Sequence, residues 1–294
     1  MSGKLVVVGT PIGNLSDFSP RAVQALSDAD FIAAEDTRVT RKLLSHFNIH
    51  KPMISYFEHN KYQRGDKICD RMEHGEICAL VSDAGMPAIS DPGELLVRQC
   101  AERGIPVFVV PGPSAVVSAL AVSGLPTGRF TFEGFLSVNK KSRREHLAEL
   151  KNEHRTMVFY EAPHKLADTL VDLLSALGDR RISIVRELTK IHEEVIRTTL
   201  SEAAKRYEGG SAKGEFVLVV EGAPRTPPEP EPEQKAISIA EGYLEQGLSA
   251  SEAAKRASSE TGRKKNEIYR QIADKKNRPH KDEPGVDVHH GPPL

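Results

Sequence analysis

Five short apolar runs punctuate the first 110 residues, and they constrain the fold more than any other feature of the sequence. They are KLVVV (Lys4 to Val8), DFIAAED (Asp30 to Asp36), MISYF (Met53 to Phe57), ICALVSD (Ile77 to Asp83) and PVFVV (Pro106 to Val110). The runs are continuous rather than alternating, as expected of strands covered on both faces, and helix-compatible stretches over 20–27, 62–74 and 91–103 lie between them. That pattern specifies a parallel sheet with helices on either side. Ligands of such sheets sit at the carboxyl ends of the strands. Three unusual loops leave there: GTPIGN (Gly9 to Asn14), SDAGMPAISDPG (Ser82 to Gly93) and PGPSA (Pro111 to Ala115). Together they point to a cofactor crevice. Taken singly, each glycine has the plainer alternative of a turn residue.

The second half reads as a separate α/β unit. Strands are expected in GRFTFEGFL (128–136), RTMVFYE (155–161), RISIVREL (181–188), EEVIRTTL (193–200) and GEFVLVVEG (214–222). Between them NKKSRREHLAELKNE and PHKLADTLVDLLSALG are helical, with Pro163 in a first turn and Leu166, Leu170, Leu173, Leu174 and Leu177 making one core-facing stripe. Domains are therefore expected over 1–123 and 124–223, with a site between them. PRTPPEPEPE (224–233) holds five prolines in ten residues and reads as an extended linker.

Residues 234–278 read as a small basic helical domain of three helices, the second opening on a Ser249 to Glu252 capping box. From Ser249 to Arg278 nine basic residues stand against four acids, a local +5 in a chain of net charge -1. Clustered Lys and Arg suit a phosphate backbone. The plain alternative is a solvated charged face. The tail 279–294 offers no core and is expected to be disordered.

Several classes are disfavoured. Cys69, Cys78 and Cys100 are too few for a disulfide framework or a thiolate metal site and fit a reducing cytoplasm. No basic-then-apolar leader precedes Leu5, and no apolar run approaches the roughly 20 residues of a membrane span. A soluble cytoplasmic protein is expected. Neither GxGxxG nor GxxxxGK[ST] occurs. An acidic strand exit at Asp83, followed by Ala84-Gly85 and a Pro-Gly-Pro turn, suits an amino-acid-like ligand or ribose hydroxyls. S-adenosylmethionine fits such a site, and NAD fits it poorly.

Eight ordered blocks, GTPIGN, AAEDTR (33–38), LVSDAGMPAISDPG (80–93), VPGPSA (110–115), EGF (133–135), FYEAPHKL (159–166), RELTK (186–190) and KGEFVLVVEG (213–222), resemble the bacterial ribosomal RNA small subunit methyltransferase I family of the tetrapyrrole methylase superfamily. The resemblance implies two α/β domains of the tetrapyrrole methylase type with a cofactor cleft between them. It implies a cytoplasmic homodimer that transfers methyl from S-adenosylmethionine to the ribose 2'-hydroxyl of a cytidine in the decoding region of 16S rRNA. Carried onto matching positions, it places Pro11, Asp83, Gly85, Met86, Ser114, Ala115 and Leu188 at the cofactor. Met86 departs from the Thr of many relatives, which puts one hydroxyl contact in question. Rival readings are a small-molecule methyltransferase of the tetrapyrrole type and a non-catalytic RNA-binding protein.

By chemistry, the candidates for activating or orienting a weakly nucleophilic hydroxyl are Asp36, Arg38 and Glu161, with His59 and His164. Asp36 and Arg38 have the alternative of pairing with each other, and Glu161 that of supporting a neighbour. Lys140, Lys141, Arg143 and Arg144, with Arg38, Arg41, Lys42, Lys61, Arg64 and Lys67, are candidate phosphate contacts. Tyr56, Phe57 and Tyr160 are candidate stacking groups. For any one of these, a solvated surface charge or a core aromatic is the plain alternative.

Overall fold

The computed structural model describes residues 3–209, 212–224 and 233–276. The chain divides into two units, Met1–Pro224 and Arg225–Leu294.

The larger unit begins with β1 (Lys4–Val8), α1 (Pro20–Asp28), β2 (Phe31–Ala34), α2 (Thr37–His46), β3 (Met53–Ser55), α3 (Lys61–Glu73), β4 (Ile77–Val81), α4 (Gly93–Glu102) and β5 (Val107–Val110). The helices start where the sequence supplies caps: the Ser19 hydroxyl accepts from Ala22 N with Pro20 in the first turn, and the Asp36 carboxylate accepts from Arg38 N. All five strands run parallel in the order β3-β2-β4-β1-β5. β1 lies between β4 and β5, so the strands that carry the three unusual loops are adjacent. Alternate strand residues feed two cores. Leu5, Val7, Phe31 and Leu80 pack with Ile68 and Leu96 on one face, and Val6, Val8, Ile32 and Val81 pack with Leu26 and Leu44 on the other. β5 departs from the expected double cover: it is an edge strand, and Phe108 is 55% exposed, with Val107 and Val109 exposed beside it.

The chain continues through α5 (Ala115–Ser123), β6 (Phe130–Phe135), α6 (Lys140–Glu149), β7 (Thr156–Glu161), α7 (Leu166–Leu177), β8 (Arg181–Arg186), β9 (Glu194–Thr199), α8 (Leu200–Tyr207) and β10 (Phe216–Val220). The second sheet has the order β6-β7-β10-β8-β9, with β6 parallel to β7 and the other pairs antiparallel. A bulge at Gly134 (φ 63°) bends β6. The leucine stripe of α7 packs with Leu147 and Leu200 on Met157, Phe159 and Leu218. The opposite face is covered by α5, whose Val116, Ala119 and Leu120 pack on Val158, Val185, Val217 and Val219. Helix α5, placed before the division expected at 123/124, therefore shares its core with the second sheet. The PGPSA loop carries the chain off β5 and across to that sheet.

The smaller unit consists of α9 (Glu233–Glu245), α10 (Ala250–Thr261) and α11 (Lys265–Lys276). Ser249 caps α10 by accepting from Glu252 N at 3.3 Å, and Gly262 in the left-handed region (φ 72°) ends it. Ala236, Ala240, Ala254, Ala257, Ile268 and Ile272 form its core. The Pro-rich linker except for its two ends, together with the tail 279–294, lies outside the described residues.

Candidate functional site

The three loops are held against one another by backbone. Thr10 N donates to Gly85 O at 2.9 Å and Gly85 N to Thr10 O at 3.2 Å, a one-residue antiparallel bridge that joins GTPIGN to the DAG loop. It requires Gly85 at φ 86°, a conformation open to glycine. On its other side GTPIGN meets the PGP turn, where Gly9 and Gly112 pack back to back. Past Gly85 the chain holds two non-glycine residues in the left-handed region, Ala88 (φ 68°) and Ser90 (φ 63°). Such strain costs about 1–3 kcal/mol per residue. The Asp91 carboxylate offsets it by accepting from Ala88 N at 3.0 Å and Gly93 N at 2.7 Å.

Between this edge and the second sheet lies a cleft of about 450 Å³, within the usual size of small-molecule sites. Ile12, Glu35, the 82–86 and 89–91 segments, Ser114 and Ala115 form one wall; Phe135, the 160–163 segment and the 215–217 segment form the other. Five carboxylates line it: Glu35, Asp83, Asp91, Glu161 and Glu215. Burial, and then the fields of Asp83 and Asp91, raises the Glu35 carboxyl above its ordinary value. Burial likewise raises Asp91, against the hydrogen bonds from Gly93 and Ala88. The apolar part of the lining includes Ile12, Met86, Ile89, Phe135, Phe216 and Val217.

Among the residues carried onto the cofactor, Asp83, Gly85, Met86, Ser114 and Ala115 line the cleft. Pro11 does not, although its neighbour Ile12 does, and Leu188 packs against the apolar cluster beneath α5. The Met86 sulfur contacts Gly112 N at 3.3 Å, so the side chain braces the loop crossing. Of the catalytic candidates, only Glu161 lines the cleft. It is buried and accepts from Ala162 N and from the Thr169 hydroxyl; Thr169 in turn accepts from Arg143, which is paired with Asp172 at 2.6 Å. Asp36 and Arg38 pair with each other, with Arg38 Nη2 2.7 Å from Asp36 Oδ2. The Arg38 side-chain hydrogen bond and its backbone N–H pull the Asp36 carboxyl down to about 2. His59 and His164 are outside the lining.

Comparison with known proteins gives the lineage. The sequence profile of the tetrapyrrole (corrin/porphyrin) methylases matches residues 4–204. The ribosomal RNA small subunit methyltransferase I of Halalkalibacterium halodurans is 48% identical over 273 residues, 91% of this chain and 93% of that protein. The chain belongs to that family. The Thermotoga maritima member is 49% identical over 220 residues, which cover 75% of this chain and 99% of that protein. The quarter left over matches the size of the smaller unit. Among solved structures, uroporphyrin-III C-methyltransferase of Thermus thermophilus superposes with a TM-score of 0.54 at 18% identity, over 75% of this chain and 94% of that one. It shares the fold.

The cleft fits S-adenosylmethionine on the chemistry of its lining. Asp83 and Glu215 complement a sulfonium and an ammonium, and the apolar wall takes a purine. Ser114 makes no side-chain cap for α5, which leaves the first-turn N–H groups uncapped by it and suited to a ligand carboxylate.

Other expectations change. Tyr56 is 1% exposed and its hydroxyl donates to Pro92 O at 3.1 Å, so it is a core residue rather than a stacking platform. Arg143 is spent on Asp172 and Thr169 rather than held out to phosphate. Glu35, Asp91 and Glu215 line the cleft without standing out in the sequence. Their position within the EDTR, SDPG and KGEF blocks was the available signal. No cluster of metal-ligating side chains occurs among the described residues.

Proposed function

We propose that this chain transfers the methyl group of S-adenosylmethionine to the ribose 2'-hydroxyl of a cytidine in the decoding region of 16S rRNA. The observation that carries the reading is the acidic cleft at the meeting of the GTPIGN, DAG and PGP loops, in a chain that matches its methyltransferase relatives over nearly its full length. When bound, the cofactor supplies an already activated methyl group, so the protein's work is alignment. Asp83 and Glu215 face the cofactor's positive charge from opposite walls. Gly85, Met86, Ser114 and Ala115 shape its bed, with Pro11 setting the path of the first loop and Leu188 the packing behind it. Arg38, whose side chain is 85% exposed, meets the RNA backbone, and Asp36 orients it through their ion pair. Glu161, fixed by Thr169 and Ala162, holds the second wall in position.

The smaller unit adds affinity for rRNA through Lys255, Arg256, Arg263, Lys264, Lys265 and Arg270. The functional form is a cytoplasmic homodimer. Its support is the uncovered face of β5, where Phe108, Val109, Val117 and Ile89 are exposed around an apolar hollow of about 680 Å³. No helix among the described residues is long and apolar enough to cross a membrane.

The deciding experiment incubates the protein with 30S subunits lacking endogenous modification and methyl-labelled S-adenosylmethionine, followed by nuclease digestion and mass spectrometry. Labelled 2'-O-methylcytidine in 16S rRNA is the expected product. Label on a base, or on a tetrapyrrole and never on RNA, overturns the assignment.

A further inference from the structure

A ribose hydroxyl must lose its proton as it is methylated, and the five carboxylates of the cleft differ in how free they are to take it. Asp91 spends Oδ1 on Ala88 N and Gly93 N. Glu161 accepts at both oxygens from Ala162 N and Thr169 and is nearly sealed from solvent. Glu215 is paired with Lys190 Nζ at 3.1 Å. Asp83 accepts from Asp36 N at 3.0 Å. Asp36, just outside the lining, is committed to the first turn of α2 and to Arg38. Glu35 follows β2 at the carboxyl edge, lines the cleft and accepts one backbone hydrogen bond, at Asp83. Unlike Glu215 and Asp36 it forms no ion pair among the described residues, unlike Glu161 it is only half-buried, and unlike Asp83 it is not set against the cofactor's positive charge.

We propose that Glu35 is the catalytic base of the methyl transfer, a role that rests on the ribose-methylation reading. The ribose oxygen uses a lone pair to bond the methyl carbon. The carbon–sulfur bond breaks, leaving its electron pair on sulfur, which becomes a neutral thioether. The hydroxyl proton passes to the Glu35 carboxylate and from there to water. Charge balances, since one positive sulfonium is replaced by one proton.

The surroundings suit the task. Burial is the largest influence on Glu35; Asp83 from the β4 exit and Asp91 from the same loop add negative charge, as does Asp36 from its own segment, against a backbone hydrogen bond at Asp83. Across the cleft stand Glu161 and Glu215, and Arg38 lies on the solvent side, paired with Asp36 and within the field of Asp83. The carboxyl therefore holds a proton more firmly than an ordinary glutamate, the direction that strengthens a general base. The ionised form is the active one, so transfer rises with pH through the Glu35 midpoint.

The test compares the full-length protein with Glu35→Gln and Glu35→Asp in three measurements. Single-turnover transfer to unmodified 30S subunits at saturating S-adenosylmethionine is followed across pH. Cofactor affinity is measured by calorimetry. The carboxyl titration is read in cofactor-free protein by carbon NMR of labelled glutamate, with the Glu35 signal identified by its loss in E35Q. The expected result for E35Q is a rate lowered on the order of 10²-fold, loss of the acid limb of the pH profile, and unchanged cofactor affinity, with partial recovery in E35D. In wild-type protein a glutamate midpoint above the ordinary range should fall in Asp83→Asn. Weakened cofactor binding with an undiminished rate at saturation would overturn the proposal and make Glu35 a cation-holding side chain. An acid limb that survives in E35Q would also overturn it. Wild-type protein that leaves RNA unlabelled would overturn the underlying reading as well, and is distinguished by failing before any substitution is made.

Discussion

Gly9 and Gly112 pack so closely that neither has room for a side chain. A β-carbon on Gly9 would lie 2.7 Å from the Gly112 Cα, and one on Gly112 would lie 2.9 Å from the Gly9 Cα. The contact joins the exits of β1 and β5, and Met86 packs against the same point. The glycines of the first loop thus serve close approach of backbone, and the approach shapes the cleft.

Gly9→Ala is therefore expected to force the two loops apart, destabilising the fold by about 1–3 kcal/mol as overpacking does and weakening S-adenosylmethionine binding. Gly104→Ala is the control. Gly104 has φ 68°, but a β-carbon added there would meet nothing within 4 Å, so strain of about 1–2 kcal/mol should appear without loss of cofactor affinity. Denaturant melts and calorimetry read both quantities; wild-type cofactor affinity in G9A would remove the loop crossing from the site.

Asp36 gives a pH signature. Its carboxyl titrates at about 2 in the folded chain, below its ordinary 3.8, chiefly through the Arg38 side-chain hydrogen bond. A depressed carboxylate stabilises the fold above its unfolded value, and that contribution is lost as pH falls toward the folded one. The stability difference between wild type and Asp36→Asn should therefore be full at neutral pH and shrink between about pH 4 and pH 2. A difference that stays constant down to pH 2 would show that the ion pair contributes nothing. The same variant should retain cofactor binding, because Asp36 lies outside the cleft lining.

The boundary between what sequence shows and what it hides runs through neighbouring residues. The strands of both sheets were legible because continuous apolar runs bounded by glycine, proline and acid have few other solutions. The cleft was legible as three loops on one edge. Which acid of Glu35-Asp36 enters it was not. Adjacent side chains at a strand end point opposite ways, and the phase is set by where β2 stops and α2 is capped. β5 reads as covered because a run such as VFVV looks the same whether its cover comes from this chain or from another surface. Helix α5, AVVSALAVS, is apolar on every side and carries no direction for its packing, which is why its place on the second sheet was not legible.

The exposed β5 face supports a prediction about assembly. Phe108 and Val117 are 55% and 53% exposed in the single chain, so replacing them should leave the fold's own core intact. In a homodimer that covers this face, Phe108→Ser with Val117→Ser should weaken association, each by on the order of 1–3 kcal/mol if central to the contact. Arg21 already bonds the outward carbonyl of Val109 at 2.8 Å, which disfavours edge-to-edge strand pairing and favours packing through side chains. Light scattering over a concentration series should show wild type dimeric and the double variant shifted toward monomer. An unchanged dimer would place the interface elsewhere.

The two units are expected to separate by function. The Thermotoga maritima relative is matched over 99% of its length by three quarters of this chain, so a protein of the family is complete without a segment the size of residues 225–294. The cleft is built wholly from the larger unit. Deleting residues 225–294 should therefore leave S-adenosylmethionine affinity unchanged and preserve the rate of methyl transfer at saturating 30S subunits. The apparent KM for subunits should rise, because the smaller unit concentrates nine basic residues against four acids between Ser249 and Arg278. If it makes three or four phosphate contacts, the slope of log affinity against log salt should become shallower by about 2 to 3, since each contact contributes roughly 0.7 to 0.9. Equal KM and equal salt slope in the truncated and full-length proteins would reduce the basic helices to a solvated surface. A loss of cofactor affinity on truncation would instead mean that the larger unit needs the smaller one to hold its cleft.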